Sequence, residues 1–246
     1  MKHANQFKTL FLLLALGTLT LSSCLKGSEP TEIQVAKLAF LNASPASEGF
    51  DMGLDQRLVN SISPDNPDFA YGDTLGYFNA FPGQRWVRVF EDAQAAAQPL
   101  AQGTINLAPG QAYTVYVVGY EELELIATSD DLSAPESGKA KIRFVNLSPD
   151  APSLGLGIRG VQTLIASDKE YKKYSDFVEV DADETHTFDI TLHEGGDVVH
   201  SFALELEDGG VYTVWAKGLR DDEGDEGLAF GHGLMTYRTP PPTVEE

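Results

Sequence analysis

Apolar and polar residues alternate with a period of two through much of the chain, the spacing of strands with one buried face rather than of helices. In KIRFVNL, Ile142 and Phe144 alternate with Lys141 and Arg143; in THTFDITLH, Phe188, Ile190 and Leu192 alternate with Thr187, Asp189, Thr191 and His193. Both read as half-buried strands. HEGGDVV, from His193 to Val199, sets Gly195 and Gly196 between two such runs, which is hairpin chemistry. Only Ala166–Tyr174, ASDKEYKKY, is compatible with a short turn of helix.

The pattern occurs twice. KLAFLNASP, Lys37 to Pro45, matches KIRFVNLSP, Lys141 to Pro149, at lysine, phenylalanine, asparagine, serine and proline. INLAPGQAYTVYVVG, Ile105 to Gly119, matches LELEDGGVYTVWAKG, Leu204 to Gly218, with Leu107 over Leu206, Gly110 over Gly209, Tyr113 over Tyr212 and Gly119 over Gly218. Self-similarity of this kind marks a duplicated unit. The expected division is 36–128 and 139–238, joined by a polar linker over 129–138, with a proline-rich tail over 239–246 that cannot continue a strand or helix. In each copy a turn precedes Tyr-Thr-Val, as in the tyrosine corner of Greek-key sandwiches, where the hydroxyl bonds backbone a few residues upstream. The expected fold is all-β: two tandem immunoglobulin-like antiparallel β-sandwich domains. Tyr113, Val115 and Val117 would face one core, and Tyr212, Val214 and Ala216 the other.

The N-terminus breaks the period. Lys2 and Lys8 precede an apolar run from Leu10 to Leu21, too short to span a bilayer, and two small serines lead to Cys24. This is the layout of a secretory signal over 1–23, and Leu21-Ser22-Ser23-Cys24 resembles the bacterial lipobox. Cys24 is the one cysteine of the chain, so no internal disulfide can form and a lipid attachment point accounts for it. The alternative is an ordinary signal followed by a free thiol. A diacylglyceryl group meets the two-chain requirement for stable anchoring by itself. Residues 24–35 then form a lipidated tether, and the location is the bacterial cell envelope, lipid-anchored at the outer membrane, periplasmic or surface-facing. Loss of residues 1–23 removes two lysines and deepens the formal charge of −20 by two. Such a surface repels nucleic acid and anionic lipid, so no nucleic-acid partner is expected.

The two openings, F-[LV]-N-x-S-P, and the two closings, Y-T-V-x-x-x-G, are similar to the tandem domain of unknown function, family 4397, of bacterial envelope lipoproteins and other secreted proteins. The resemblance implies a β-sandwich and export. It supplies no activity.

Motifs with chemistry are few. GLGIRG, Gly155 to Gly160, fits the dinucleotide pattern G-x-G-x-x-G, but no βαβ unit surrounds it, so a glycine-rich strand is the reading taken. His186, His193 and His200 invite a metal reading. Strand parity places His193 and His200 on one face and His186 on the other, and no metal site is expected. The acidic loop from Asp221 to Glu226 lacks the spacing of an EF-hand and reads as solvated, with weak calcium binding as the alternative. No cofactor is expected, and with no nucleophile elbow or zinc-protease motif the chain is read as not an enzyme. Trp215 and Tyr116 fall on the face of their strands opposite the inward tyrosines, and Trp86 lies beside Arg85 and Arg88. Trp86, Tyr116 and Trp215 are therefore the candidate ligand or partner surface, unless they cover the contact between the sandwiches. The expected role is structural or protein-binding. The alternative is a carbohydrate-binding accessory lipoprotein with a glycan partner, and an enzyme comes third.

Overall fold

A computed structural model describes residues 34–45, 49–60, 68–91, 98–193, 196–221 and 228–238. Cys24, the leader and the tail over 239–246 lie outside them.

The described residues are β-structure without α-helix. Eight strands come first: β1 (Ala36–Asn42), β2 (Asp51–Leu54), β3 (Arg57–Leu58), β4 (Thr74–Ala80), β5 (Gly83–Phe90), β6 (Ala101–Leu107), β7 (Ala112–Val118) and β8 (Glu124–Asp130). Eight more follow: β9 (Lys139–Asn146), β10 (Leu154–Ile158), β11 (Leu164–Lys169), β12 (Val178–Asp181), β13 (Glu184–Leu192), β14 (Val198–Leu206), β15 (Gly210–Lys217) and β16 (Gly231–Arg238). The sheets have the orders β4-β1-β7-β8 and β3-β2-β5-β6 in the first set, and β12-β9-β15-β16 and β11-β10-β13-β14 in the second. Adding eight to every label of the first set reproduces the second.

The sheets are mainly antiparallel, with one exception in each half. β1 runs parallel to β7, and β9 parallel to β15. The chain leaves β1 for the opposing sheet, comes back once at β4 on the other side of β1, and crosses again through β5 and β6 before β7, so β1 and β7 are joined by a long connection that permits parallel pairing. Ala166–Lys169, read from sequence as a turn of helix, belong to β11. Ser129 and Asp130, read as the start of a linker, are the last residues of β8.

Each half is a sandwich around its own core. Leu38, Phe40, Val115 and Val117 meet Met52, Val87, Val89 and Ile105 across the first. Ile142, Phe144, Val214 and Ala216 meet Leu156, Phe188, Ile190 and Phe202 across the second. Burying one such side chain contributes about 1.5–3 kcal/mol. Both tyrosine corners form: the Ala108 N–H donates to Tyr113 Oη at 3.2 Å and the Glu207 N–H to Tyr212 Oη at 2.9 Å.

The repeated signatures explain themselves in hydrogen bonds. Asn42 Oδ1 accepts from the Ser44 N–H, and Ser44 Oγ donates to the Gly119 carbonyl at 2.8 Å. Asn146, Ser148 and Gly218 repeat the arrangement, again with a 2.8 Å bond from Ser148 Oγ. Thus N-x-S and the terminal glycine of Y-T-V-x-x-x-G clasp one another. Gly119 and Gly218 hold φ of 106° and 76°, in the region that favours glycine, and an added Cβ at either would run into backbone of the following turn.

The sheets β4-β1-β7-β8 and β12-β9-β15-β16 also pack against each other. Leu41, Ala43, Tyr116 and Val118 from one meet Val145, Leu147 and Trp215 from the other in a third cluster. The strands β1, β7, β9 and β15 are consequently buried on both faces. The half-buried reading of KIRFVNL is corrected on this point: Lys141 and Arg143 are 7% and 1% exposed, because the first sandwich covers the face that alternation assigned to water. The contact has an approximate two-fold character. Tyr71 of the first half reaches toward the Gly218 backbone, and Tyr171 of the second toward that of Gly119, and burial pushes both phenols up to about 12.

Candidate functional site

Of the three aromatics singled out in sequence, two are corrected by the structure. Tyr116 is fully buried and Trp215 is 1% exposed, both at the contact between sandwiches. Parity placed them away from their own cores correctly, but the face they occupy is covered by the other half. Gly233 lies opposite Trp215 in the ladder, and a side chain there would collide with the indole. Trp215 thus fills a slot between sheets, with its Nε1–H buried and unpaired. Tyr116 Oη accepts from Arg143 Nη2 at 3.0 Å.

Trp86 is different: it is 52% exposed. It lies on β5, where Val87 and Val89 point into the core, so Trp86 and Arg88 point outward by alternation. Opposite them on β6 are Thr104 and Gln102. The two-residue turn between β2 and β3, Asp55-Gln56, folds back onto this face. Asp55 adopts φ of 53°, its N–H donates to the Trp86 carbonyl at 2.7 Å, and its Oδ1 accepts from the Trp86 N–H at 3.0 Å. Asp55 Oδ2 also pairs with Arg85 Nη1 at 3.3 Å. Arg85 Nε donates to the Phe81 carbonyl at 2.8 Å, which fixes the corner that carries Phe81, 65% exposed. Arg88 Nη2 donates to the Asp55 carbonyl, and its guanidinium lies 5.5 Å from the Phe90 ring centroid. These residues line a groove of about 1190 Å³ with Leu58, Phe78 and Gln102 on its walls. Sequence reasoning found Trp86 and its arginines. It missed Phe81, Leu58 and Asp55, which alternate with nothing and are brought in by a corner and a tight turn.

The histidines are arranged otherwise than strand parity implied. A bulge between Ile190 and Thr191 breaks the register of the β13–β14 hairpin, and His193 leaves the ladder with φ of 55°. His186 and His200 therefore share the inward face of their sheet, against Phe188 and Phe202 respectively. His200 Nε2 lies 2.9 Å from Nδ1 of His232, a residue not singled out in sequence. Gly155 and Gly157 of GLGIRG belong to β10, where a side chain would press on Thr191 and Leu164. Residues 222–227 of the acidic loop lie outside the described residues; at its base Asp150 accepts from the N–H groups of Arg220 and Asp221.

The sequence of residues 36–156 matches the family model described as Domain of unknown function (DUF4397). That segment of the chain belongs to the family. It covers the first sandwich, with its Trp86 groove, and continues through β9 into β10. No curated protein matches the chain. Among solved structures, the CBMbc module (family CBM26) of Eubacterium rectale Amy13K in complex with maltoheptaose aligns at 10% identity over 85% of this chain and 100% of its own, with a TM-score of 0.26. A streptococcal virulence factor described as binding α-glucan aligns at 10% identity over 77% of this chain and 95% of its own, TM-score 0.25. The TIE protein of Bacillus anthracis aligns at 12% identity over 75% of this chain and 34% of its own, TM-score 0.23.

Proposed function

We propose that the protein is a lipid-anchored, non-catalytic binding protein of the bacterial cell envelope, and that the first sandwich holds a glycan in the Trp86 groove. One observation carries the reading: Trp86 and Phe81 stand exposed at a groove of about 1190 Å³ while Tyr116 and Trp215 are buried. An indole face with amides and guanidinium groups beside it suits the C–H face and hydroxyls of a sugar ring. A glycan array probed with the purified protein and with Trp86→Ala tests it. Retention of every signal by the variant would remove the groove from the reading. A protein partner is the second reading, favoured by exposed Leu58 and Phe81 next to Trp86, an apolar and arginine-rich cluster of the kind that anchors protein interfaces.

The remaining parts follow from sequence. Residues 1–23 are the leader, Cys24 takes the diacylglycerol, 24–35 tether the body to the outer membrane, and 36–128 and 139–238 are duplicated domains fused through their inner sheets. Labelled palmitate should enter the wild-type protein and not Cys24→Ser, and the variant should leave the membrane fraction.

A further inference from the structure

We infer that the ligand of the Trp86 groove is an acidic saccharide, one carrying carboxylates as uronate units do, rather than a neutral glucan; this rests on the glycan reading above. The chain carries 37 acidic and 17 basic side chains, and a surface of that balance disfavours anionic ligands almost everywhere. The groove inverts the balance. Arg57, Arg85 and Arg88 line it, and among its described lining residues Asp55 is the one carboxylate.

The charges are not equivalent. Asp55 is consumed by the fold: its carboxylate takes Arg85 Nη1 and the Trp86 N–H. Arg85 is engaged with it: its charge is paired by Asp55, and its Nε and Nη2 each donate to a carbonyl, those of Phe81 and Pro82. Among the described residues no carboxylate pairs with Arg57 or Arg88. Arg57 is exposed on β3. Arg88 donates to a neutral carbonyl, that of Asp55. A carboxylate is the group that the guanidinium fork fits best. A neutral sugar could stack on Trp86 but would leave both charges uncompensated. A uronate can stack on the indole and place its carboxylate between the arginines.

The experiment is calorimetry of the full-length protein in detergent at low and high salt, with hexasaccharides of galacturonate, of alginate, of cellulose and of starch as probes. The acidic set should bind at 50 mM salt and weaken by about tenfold or more at 500 mM, the neutral set binding at least about tenfold more weakly throughout. Arg57→Glu, at an exposed position that leaves the fold intact, should cost about tenfold for the acidic probes and little for the neutral ones. Trp86→Ala should remove binding of both. Neutral probes binding as tightly as acidic ones, or acidic binding that ignores salt or Trp86→Ala, would overturn the inference. Neutral binding that depends on Trp86 would at the same time leave the glycan reading standing, whereas binding by none of the four probes would end both.

Discussion

In the first sandwich the residue that follows β2 is Asp55, and in the second the residue that follows β10 is Arg159. The Asp55 N–H donates to the Trp86 carbonyl, and the Arg159 N–H donates to the Thr187 carbonyl at 2.8 Å, so the two positions correspond bond for bond. What surrounds them has been exchanged. Arg88 faces Gln102 in the first half where Asp189 faces Ser201 in the second. There Arg159 forms a two-pronged pair with Asp189, at 3.0 and 2.6 Å, and bonds Ser201. This network lies across the sheet face and holds the Asp189 carboxyl below the usual range, mainly through the hydrogen bond from Arg159. Thr187 takes the place of Trp86. One scaffold thus presents an open aromatic groove on one side and a closed polar surface on the other, which shows that the cores and clasps set the fold while the outward residues of β5 and β13 set the chemistry.

The inner sheets break the correspondence more deeply. Arg143 lies opposite Thr213, and the residue at that place in the first half is Ala39, opposite Thr114. Arg143 Nη1 pairs with Asp130 Oδ1 at 2.7 Å, the two side chains being 1% and 0% exposed. Thr114, Thr128 and Tyr77 donate to the same carboxylate. Phe177 covers the guanidinium at 4.5 Å. Breaking such a pair strands a buried charge. Arg143→Ala should therefore cost about 3–5 kcal/mol in urea unfolding, and Arg143→Met with Asp130→Leu should recover most of it. A cost of under about 1 kcal/mol for the single variant would show that water reaches Asp130 and that the halves are not sealed together.

The tyrosine corners come next in size. Tyr212→Phe leaves the Glu207 N–H without its acceptor and should cost about 1–3 kcal/mol. Tyr113→Phe should cost less, because Tyr113 is only half-buried and its bond is longer. Equal losses, measured by the same unfolding curves, would mean that the two corners carry the same load despite their different burial.

Acid should separate the halves by a smaller amount. His232 is stacked on Phe202 with centroids 3.8 Å apart, and burial, with the neighbouring His200 and Lys217 charges, pushes its pKa down to about 4. His200 is lowered too, again mainly by burial. A lowered folded pKa means that the unfolded chain binds more protons below pH 6.5, so this stability is complete above that value and is lost as pH falls toward about 4. Since His232 is half-exposed, solvent screening should keep the loss between pH 7 and 5 to under about 1 kcal/mol. The corresponding places in the first sandwich hold Ala101 and Leu125, opposite Val89 and Val117 as His200 and His232 are opposite Ile190 and Ala216. Hydrogen-exchange protection factors, corrected for the intrinsic rate at each pH, should fall at pH 5 in β14 and β16 and not in β6 and β8, and His232→Gln should abolish the difference.

The fold was legible where the information is local. Period two found the strands, and the paired Tyr-Thr-Val segments found the corners, because both depend on near neighbours in sequence. Alternation also identified which side of β7 and β15 Tyr116 and Trp215 occupy. It could not say that Lys141 and Arg143 would be buried, since that depends on a second sheet that closes over them. The histidine register failed for a related reason: a single extra residue in β14, Val199, opposite the step from Ile190 to Thr191, shifts every later parity, and nothing in GGDVVHS announces it. Trp86 was visible as an aromatic among cations, yet the groove depends on a turn residue, Asp55, whose role comes from the four bonds it makes in space.

The smallest change in stability is expected at the residue on which the proposed function rests. Trp86 packs into neither core, so Trp86→Ala should alter the unfolding free energy by less than about 0.5 kcal/mol. The chain has two tryptophans, and the variant should lose the long-wavelength part of the emission and keep the short-wavelength part from buried Trp215. The reciprocal variant, Thr187→Trp, sharpens the point. It would put an indole at the corresponding place on the second sandwich, but the Arg159–Asp189–Ser201 network already satisfies the charges there and Phe81 has no aromatic counterpart at Asp181 or Ala182. It should gain no glycan binding. If Thr187→Trp alone restored binding to a Trp86→Ala protein, the exchanged charges would be incidental and a lone exposed indole on this sheet would suffice.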